Sequence, residues 1–180
     1  PYAVQLARQG NIKALLQLKN HPATLELLQE KDTYRNNVFH VAKNADTVQV
    51  LAFLIRQFDA SQAQQRITHM IDERNTLGET PLMAQINASH PDTFHPLYLH
   101  ASLKKKNDVA KNQLARLRGS DPRLFEQNQA IYCREIVKLS STGGRTLLQA
   151  AQAQTKNNPA MQQVVHTIYT EIPCLTQGNF

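Results

Sequence analysis

The sequence predicts an all-α fold, on three observations. Apolar residues recur with helical spacing, as from Thr47 to Phe58, where they cover more than one side of a helix. The apolar–polar alternation typical of strands is nowhere sustained over more than a few residues. The 180 residues include only 6 glycines and 8 prolines, too few for the tight turns of a sandwich or barrel. We therefore expect helices of about 8 to 14 residues separated by polar turns.

Length and composition fit one globular domain. A hydrophobic share of 41% is too high for a disordered segment, and the apolar runs are too short to span a membrane. The chain holds 19 Gln and 13 Asn, which makes its surface polar but lightly charged, with a net charge of +6. The sequence therefore predicts the architecture of the protein more clearly than its biochemical target.

Four segments share one sequence pattern. Gly144–Ala151 and Gly78–Ala84 are its clearest copies, Asn36–Ala42 is weaker, and Ala3–Asn11 repeats the helix–turn–helix pattern. They resemble the ankyrin repeat, whose signature runs Gly-x-Thr-Pro-Leu-His-x-Ala-Ala before a second helix. The 66 residues between Thr80 and Thr146 are twice the family's period of about 33.

The resemblance implies an ankyrin-like helix-turn-helix solenoid of about four to five irregular repeats. We expect it to cover residues 1–172, with residues 173–180 as a C-terminal tail or a linker to a further domain. A degenerate repeat should place its first helix at Asn107–Arg118 and its second at Pro122–Leu139. Asn37 and Thr80 are 43 residues apart, and we assign the excess to Asp59–Thr68 as an enlarged loop or helix extension.

The repeat pattern has a physical basis at each position. Thr80 and Thr146 can cap the first helix of their repeats, and Pro81 fits the first helical position, where no helical N–H bond is lost. Gly78 and Gly144 stand where the preceding turn requires positive φ. Arg35 occupies that place before the weaker copy, so we expect its turn to differ from the family's.

His40 stands in the position of the family's histidine. The resemblance implies that its ring hydrogen-bonds the backbone of a neighbouring loop and ties adjacent repeats together. We interpret His40 as structural rather than catalytic.

The sequence contains no nucleotide-binding glycine pattern, no nucleophile elbow and no zinc-protease helix. The pair Gly143-Gly144 precedes a helix, as phosphate loops do, but the repeat pattern already explains it. We predict no catalytic residue, no cofactor, no small-molecule substrate and no enzymatic activity.

The histidines and cysteines do not predict a metal site. His90, His95 and His100 recur at five-residue intervals interrupted by prolines, which is not the spacing of helical metal pairs. Cys133 and Cys174 are too few for a disulfide framework, and we interpret Cys133 as a core or helix-flank thiol. Two cysteines fit a reducing compartment or a cysteine-poor protein, and a cytoplasmic location is expected.

A basic segment lies between the two best repeats. Five of its cations are candidates for contact with an anionic surface: Lys104, Lys105, Lys106, Lys111 and Arg116. The alternatives are an ordinary solvated helix face, an acidic protein partner or anionic lipid headgroups. Nucleic acid is not expected as a partner because no aromatic residues are interleaved with the cations.

The ankyrin resemblance implies a concave binding surface built from the turn tips and the first helices. The matching tip residues are Tyr34, Arg35, Asn36, Arg74, Asn75, Thr76, Thr142 and Arg145. Tyrosine and arginine are common binding anchors, although each residue taken alone could be an ordinary solvated turn residue. We therefore predict a protein–protein interaction module.

The irregular repeats and the Asn/Gln-rich composition are similar to ankyrin-repeat effectors that intracellular bacteria such as Legionella deliver into host cells. This resemblance implies a host protein as partner and the host cytosol as the working compartment. Two alternatives stay open. The chain could be the substrate-recruiting arm of a larger multidomain enzyme, or it could dock on an anionic membrane through the basic helices.

Overall fold

The computed structural model describes residues 1–176. The chain folds as two compact units, which divide after Ala101: unit 1 is residues 1–101 and unit 2 begins at Ser102. The predicted all-α class is confirmed, since the described residues are mostly helical and include no β-strand. The single domain predicted over residues 1–172 spans both units. No helix within residues 1–176 is both long enough and apolar enough to cross a membrane.

Unit 1 contains eight α-helices joined by short turns and 3-10 segments. They are α1 Tyr2–Gln9, α2 Ile12–Gln17, α3 Thr24–Leu28, α4 Val38–Val41, α5 Ala45–Phe58, α6 Ala63–Asp72, α7 Pro81–Asn87 and α8 Phe94–Tyr98. Several are shorter than the expected 8 residues, because tertiary packing and caps stabilise helices too short to persist alone.

The helices of unit 1 pack in two rows. In one row α1 packs on α4 and α4 on α7, while in the other α2 packs on α5 and α5 on α8. Gln85 joins α4 and α7, since its buried amide nitrogen donates to Phe39 O at 3.1 Å and to Ala42 O at 2.8 Å. These bonds satisfy carbonyl groups that a four-residue helix cannot satisfy internally.

Helices α3 and α6 are additions that the repeat pattern does not contain. The segment Asp59–Thr68, expected as an enlarged loop or helix extension, instead turns and begins the separate helix α6. Ala63 and Ile67 are buried where α6 packs on α5, and Arg66 pairs with Asp59 at 2.7 Å. The expectation was wrong because the polar Gln-rich tract hid the apolar face that begins at Ala63.

The predicted helix starts are confirmed. Thr80 Oγ1 accepts from Met83 N, Pro81 follows at the first helical position, and Thr146 forms a capping box with Gln149. Gly78 and Gly144 both have φ of 76°.

Unit 2 is built from two long and two short helices: α9 Ser102–Ser120, α10 Pro122–Ser140, α11 Leu147–Gln154 and α12 Gln162–Glu171. The predicted degenerate repeat corresponds to α9 and α10, which pack against each other as a hairpin. Each has 19 residues, longer than expected. Of the predicted tail, Pro173–Thr176 forms a 3-10 helix that packs on α10 and α12, and residues 177–180 lie outside the described part.

The two cysteines pair with each other, a pairing that the sequence did not predict. Cys133 on α10 and Cys174 in the last 3-10 helix form a disulfide, with Cα atoms 5.0 Å apart. Both residues are buried, as predicted for Cys133. Their 41-residue separation carries no pairing signal, and only the packing of the 3-10 helix on α10 brings them together.

Candidate protein-binding surface

Two turns of unit 1 have the same backbone structure. One spans Asp32–Asn36 and the other Asn75–Glu79, and in each the first residue's N–H donates to the last residue's carbonyl at 3.0 Å. Within the turns, Arg35 N donates to Asp32 O and Gly78 N donates to Asn75 O, both at 2.9 Å. The two turns are therefore copies of one hydrogen-bonded unit, here called the first turn and the second turn.

Arg35 keeps this geometry despite not being glycine. Its φ is 62°, in the left-handed region that Gly78 adopts with φ of 76°. We expected the first turn to differ because Arg35 replaces glycine, but the turn is preserved and the arginine backbone is strained instead. A non-glycine residue in this region costs about 1–2 kcal/mol.

A carboxylate or amide side chain holds each turn from inside. Asp32 Oδ1 accepts from Tyr34 N and Asn36 N, both at 2.9 Å, and Asn75 Oδ1 accepts from Leu77 N and Glu79 N at 3.0 and 2.9 Å. Burial alone would raise the pKa of Asp32. The hydrogen bonds from Asn36, Arg8 and Tyr34 outweigh burial and lower that pKa below its usual value.

The two turns are bonded to each other. Thr76 N donates to Tyr34 O at 2.9 Å, and Asn75 Nδ2 donates to Asn36 Oδ1 at 2.9 Å. One backbone and one side-chain bond therefore fix their relative position.

His40 ties helix α4 to the second turn. Its Nδ1 accepts from Asn37 N at 3.1 Å, so Nε2 carries the proton and donates to Glu79 O at 3.0 Å. Burial lowers the pKa of His40, although the Glu79 carbonyl and the Glu73 and Glu79 carboxylates raise it in part. The predicted hydrogen bond from the His40 ring to the backbone of a neighbouring loop is confirmed.

The outer side of the two turns exposes apolar, polar and cationic side chains. Tyr34 is 66% exposed and Leu77 is 73% exposed, and the side chains of Arg35, Arg74 and Thr76 are also exposed. Leu77 was missed because the repeat pattern treats its position as a variable turn residue. Its signal was an isolated leucine between Thr76 and Gly78, in an otherwise polar turn.

Three predicted binding residues bond the turns through their side chains, and one of them, the exposed Arg74, donates from Nη1 to Gly78 O at 2.6 Å. Asn75 is buried and its side chain bonds Leu77, Glu79 and Asn36. Asn36 is half-buried between Asp32 and Asn75. The solvent-exposed side of these turns is therefore formed by Tyr34, Leu77 and the exposed residues beside them.

Thr142 and Arg145 belong to a third turn, in unit 2. Their backbones exchange two hydrogen bonds of 3.0 Å across Gly143 and Gly144, which have φ of 58° and 76°. Arg145 is exposed and Thr142 is half-buried.

The basic candidates also lie in unit 2, on α9. Lys104 pairs with Asp108, Lys106 with Glu135 and Lys111 with Glu171, at 2.5, 3.4 and 3.7 Å. Lys105 and Arg116 form no ion pair with any residue the structure describes. Within residues 1–176, no three His, Cys, Asp or Glu residues are grouped as metal ligands would be.

Comparison with known proteins adds no assignment. No protein-family model matches the chain, and neither does any curated protein or any solved structure.

Proposed function

We propose that unit 1 is an ankyrin-like stack that binds a partner protein through the outer side of the first and second turns. The two rows of helices and the matching turns that precede α4 and α7 support the ankyrin-like arrangement. No reaction, cofactor or small-molecule substrate forms part of the proposal.

The bonded pair of turns is the observation that supports binding most strongly. Because Thr76 N and Tyr34 O are joined, Tyr34 and Leu77 are presented from a backbone that is already ordered. Binding to an ordered surface costs less conformational entropy than binding to a free loop. A large exposed tyrosine, an exposed leucine and two arginines form the kind of patch in which binding energy concentrates.

The partner is proposed to be a protein with an apolar contact for Leu77 and a hydrogen-bond acceptor or carboxylate for Tyr34, Arg35 and Arg74. The resemblance to bacterial effectors makes a host-cell protein the first partner to test. In that case the chain acts in the cytosol of the host, where reducing conditions act on its Cys133–Cys174 disulfide.

The experiment is quantitative capture from host-cell lysate with the full chain immobilised. The test variant combines Tyr34→Ala with Leu77→Ala. Its matched control combines Tyr2→Ala with Leu99→Ala, which removes a 55% exposed tyrosine and a 46% exposed leucine of the same unit away from the turns. We expect a protein enriched by the wild type and the control to fall about tenfold with the test variant. Equal recovery by both variants contradicts the proposal.

A further inference from the structure

The net positive charge of this protein comes from the residues of unit 2. Residues 1–101 contain nine Lys and Arg and nine Asp and Glu, whereas residues 102–180 contain eleven and five. The α9–α10 hairpin alone, residues 102–140, carries nine cations and four carboxylates. Nearly all of the net charge of +6 therefore lies on two helices.

These two helices leave apolar surface uncovered. No residue from Lys111 to Tyr132 is fully buried, and Val109, Leu124 and Ile131 are 50%, 42% and 49% exposed. A groove with a cavity of about 310 Å³ runs between the helices, lined by Lys105, Lys106, Val109, Tyr132, Glu135 and Ile136. Apolar side chains concentrated in a groove mark a contact surface more often than scattered ones do.

Helical spacing extends the faces of α9 and α10 beyond the groove lining, so that Arg116, Leu124 and Ile131 lie on the same helix faces as groove residues without lining the groove themselves. Lys105, Val109 and Arg116 are four and seven residues apart, so they share one face of α9. Leu124, Ile131 and Glu135 share one face of α10 for the same reason. Each helix of 19 residues is about 28 Å long, which offers a ligand helix about five turns of contact.

We propose that the α9–α10 groove binds an acidic amphipathic helix of a partner protein. Its apolar face covers Val109 and Ile131, and its flanking carboxylates pair with Lys105 and Arg116. A third helix laid against a helical pair is a recurrent recognition mode, and complementary charge fixes its register and speeds association. This surface shares no residue with the turns of unit 1, and the proposal does not depend on their function.

The charge pattern favours a protein helix over a lipid surface. Glu135 lines the groove, and an anionic membrane would repel it, whereas a helix can place an apolar or basic residue opposite it. Lys104, Lys106 and Lys111 are already paired with carboxylates of the chain. Lys105 and Arg116 are therefore two separate cationic positions, not part of the continuous cationic surface that would suit a membrane.

The experiment measures binding of a fluorescent 20-residue peptide to the full chain by anisotropy. The probe has Leu at the i, i+3, i+4 and i+7 positions and Glu and Ala elsewhere. The control peptide has the same composition with the leucines distributed around the helix. We expect the amphipathic peptide to bind at least about tenfold more tightly, and its affinity to fall as salt rises.

Two sets of variants separate the apolar and charged contributions. Val109→Ser with Ile131→Ser, both half-exposed, should weaken the amphipathic peptide about tenfold without changing the circular dichroism spectrum. Lys105→Glu with Arg116→Glu should weaken it by a similar factor. The matched control, Lys13→Glu with Lys19→Glu, makes the same change in net charge at exposed lysines of unit 1 and should bind like the wild type.

Three outcomes overturn the proposal. Equal binding of the two peptides, or equal loss with the Lys13 and Lys19 control, shows attraction by net charge alone. Binding to vesicles of phosphatidylcholine and phosphatidylserine that depends on Val109 and Ile131, with no peptide binding, assigns the groove to a membrane.

Discussion

His40 Nε2 lies 3.0 Å from Glu79 O, and this bond joins the start of α4 to the turn that begins the next helical unit. The ring also accepts from Asn37 N, so one buried side chain satisfies groups on both sides of the junction. The junction is therefore sensitive to the protonation of a single imidazole.

We expect His40→Ala to lower the free energy of unfolding by about 1–3 kcal/mol at pH 7.5, because it leaves the buried Asn37 N–H without its acceptor and removes one of the two hydrogen bonds to Glu79 O. Urea denaturation measures the change. His95→Ala, at an exposed histidine, is the control and should change stability by less than about 0.5 kcal/mol.

Because the pKa of His40 is lowered by folding, we expect the free energy of unfolding to depend on pH. Because the pKa of His40 is lowered in the folded chain, the unfolded chain takes up the proton first, near the ordinary value of 6.5. Stability should be complete above that pH and should fall as pH falls from 6.5 toward the lowered folded pKa. Between pH 8 and pH 5, the denaturation midpoint should fall more steeply for wild type than for His40→Ala. Parallel curves would contradict the claim that folding lowers the pKa of His40.

Arg35→Gly should stabilise the protein. Glycine removes the steric cost of φ at 62° but gains entropy in the unfolded chain, so the net gain is up to about 1 kcal/mol. Arg35→Ala separates the two effects, since it removes the side chain and keeps the strain. A melting temperature for Arg35→Gly below that of Arg35→Ala would show that the turn is not strained at this residue.

Asn75→Ala should destabilise the second turn by about 1–3 kcal/mol, since the buried Glu79 N–H loses its acceptor. Hydrogen exchange should report faster exchange at Leu77 and Glu79. The neighbouring exposed residue provides the comparison, because Thr76→Ala should leave stability within about 0.5 kcal/mol of wild type. A neutral Asn75→Ala would mean that the turn does not depend on this amide.

The disulfide predicts a redox-dependent stability. It closes a loop of 41 residues, for which the chain-entropy model gives about 4 kcal/mol. Dithiothreitol should therefore lower the unfolding midpoint of the wild type and leave that of Cys133→Ala/Cys174→Ala unchanged. Alkylation under denaturing, non-reducing conditions should label neither cysteine, and labelling of both would disprove the pairing.

Local signals in the sequence determined a good part of this structure. The all-α class, the caps at Thr80 and Thr146 and the positive φ of Gly78 and Gly144 depend on residues within about four positions of one another. The structural role of His40 came from the repeat pattern rather than from local spacing. The exposed turn residues Tyr34, Arg35 and Arg74 were placed on turns for the same reason.

Tertiary packing decided the rest. The Cys133–Cys174 bond and the bond between Thr76 and Tyr34 join residues about 40 positions apart, and nothing in a single sequence indicates that such residues pair. The boundary between the two units at Ala101 likewise depends on contacts between distant residues. Helix α6 exists because α5 covers its apolar side, and Leu77 is exposed because nothing in the described residues packs over its turn. The sequence determines helices and turns through short-range free energies, whereas the position of each surface depends on long-range contacts that form only when the chain folds.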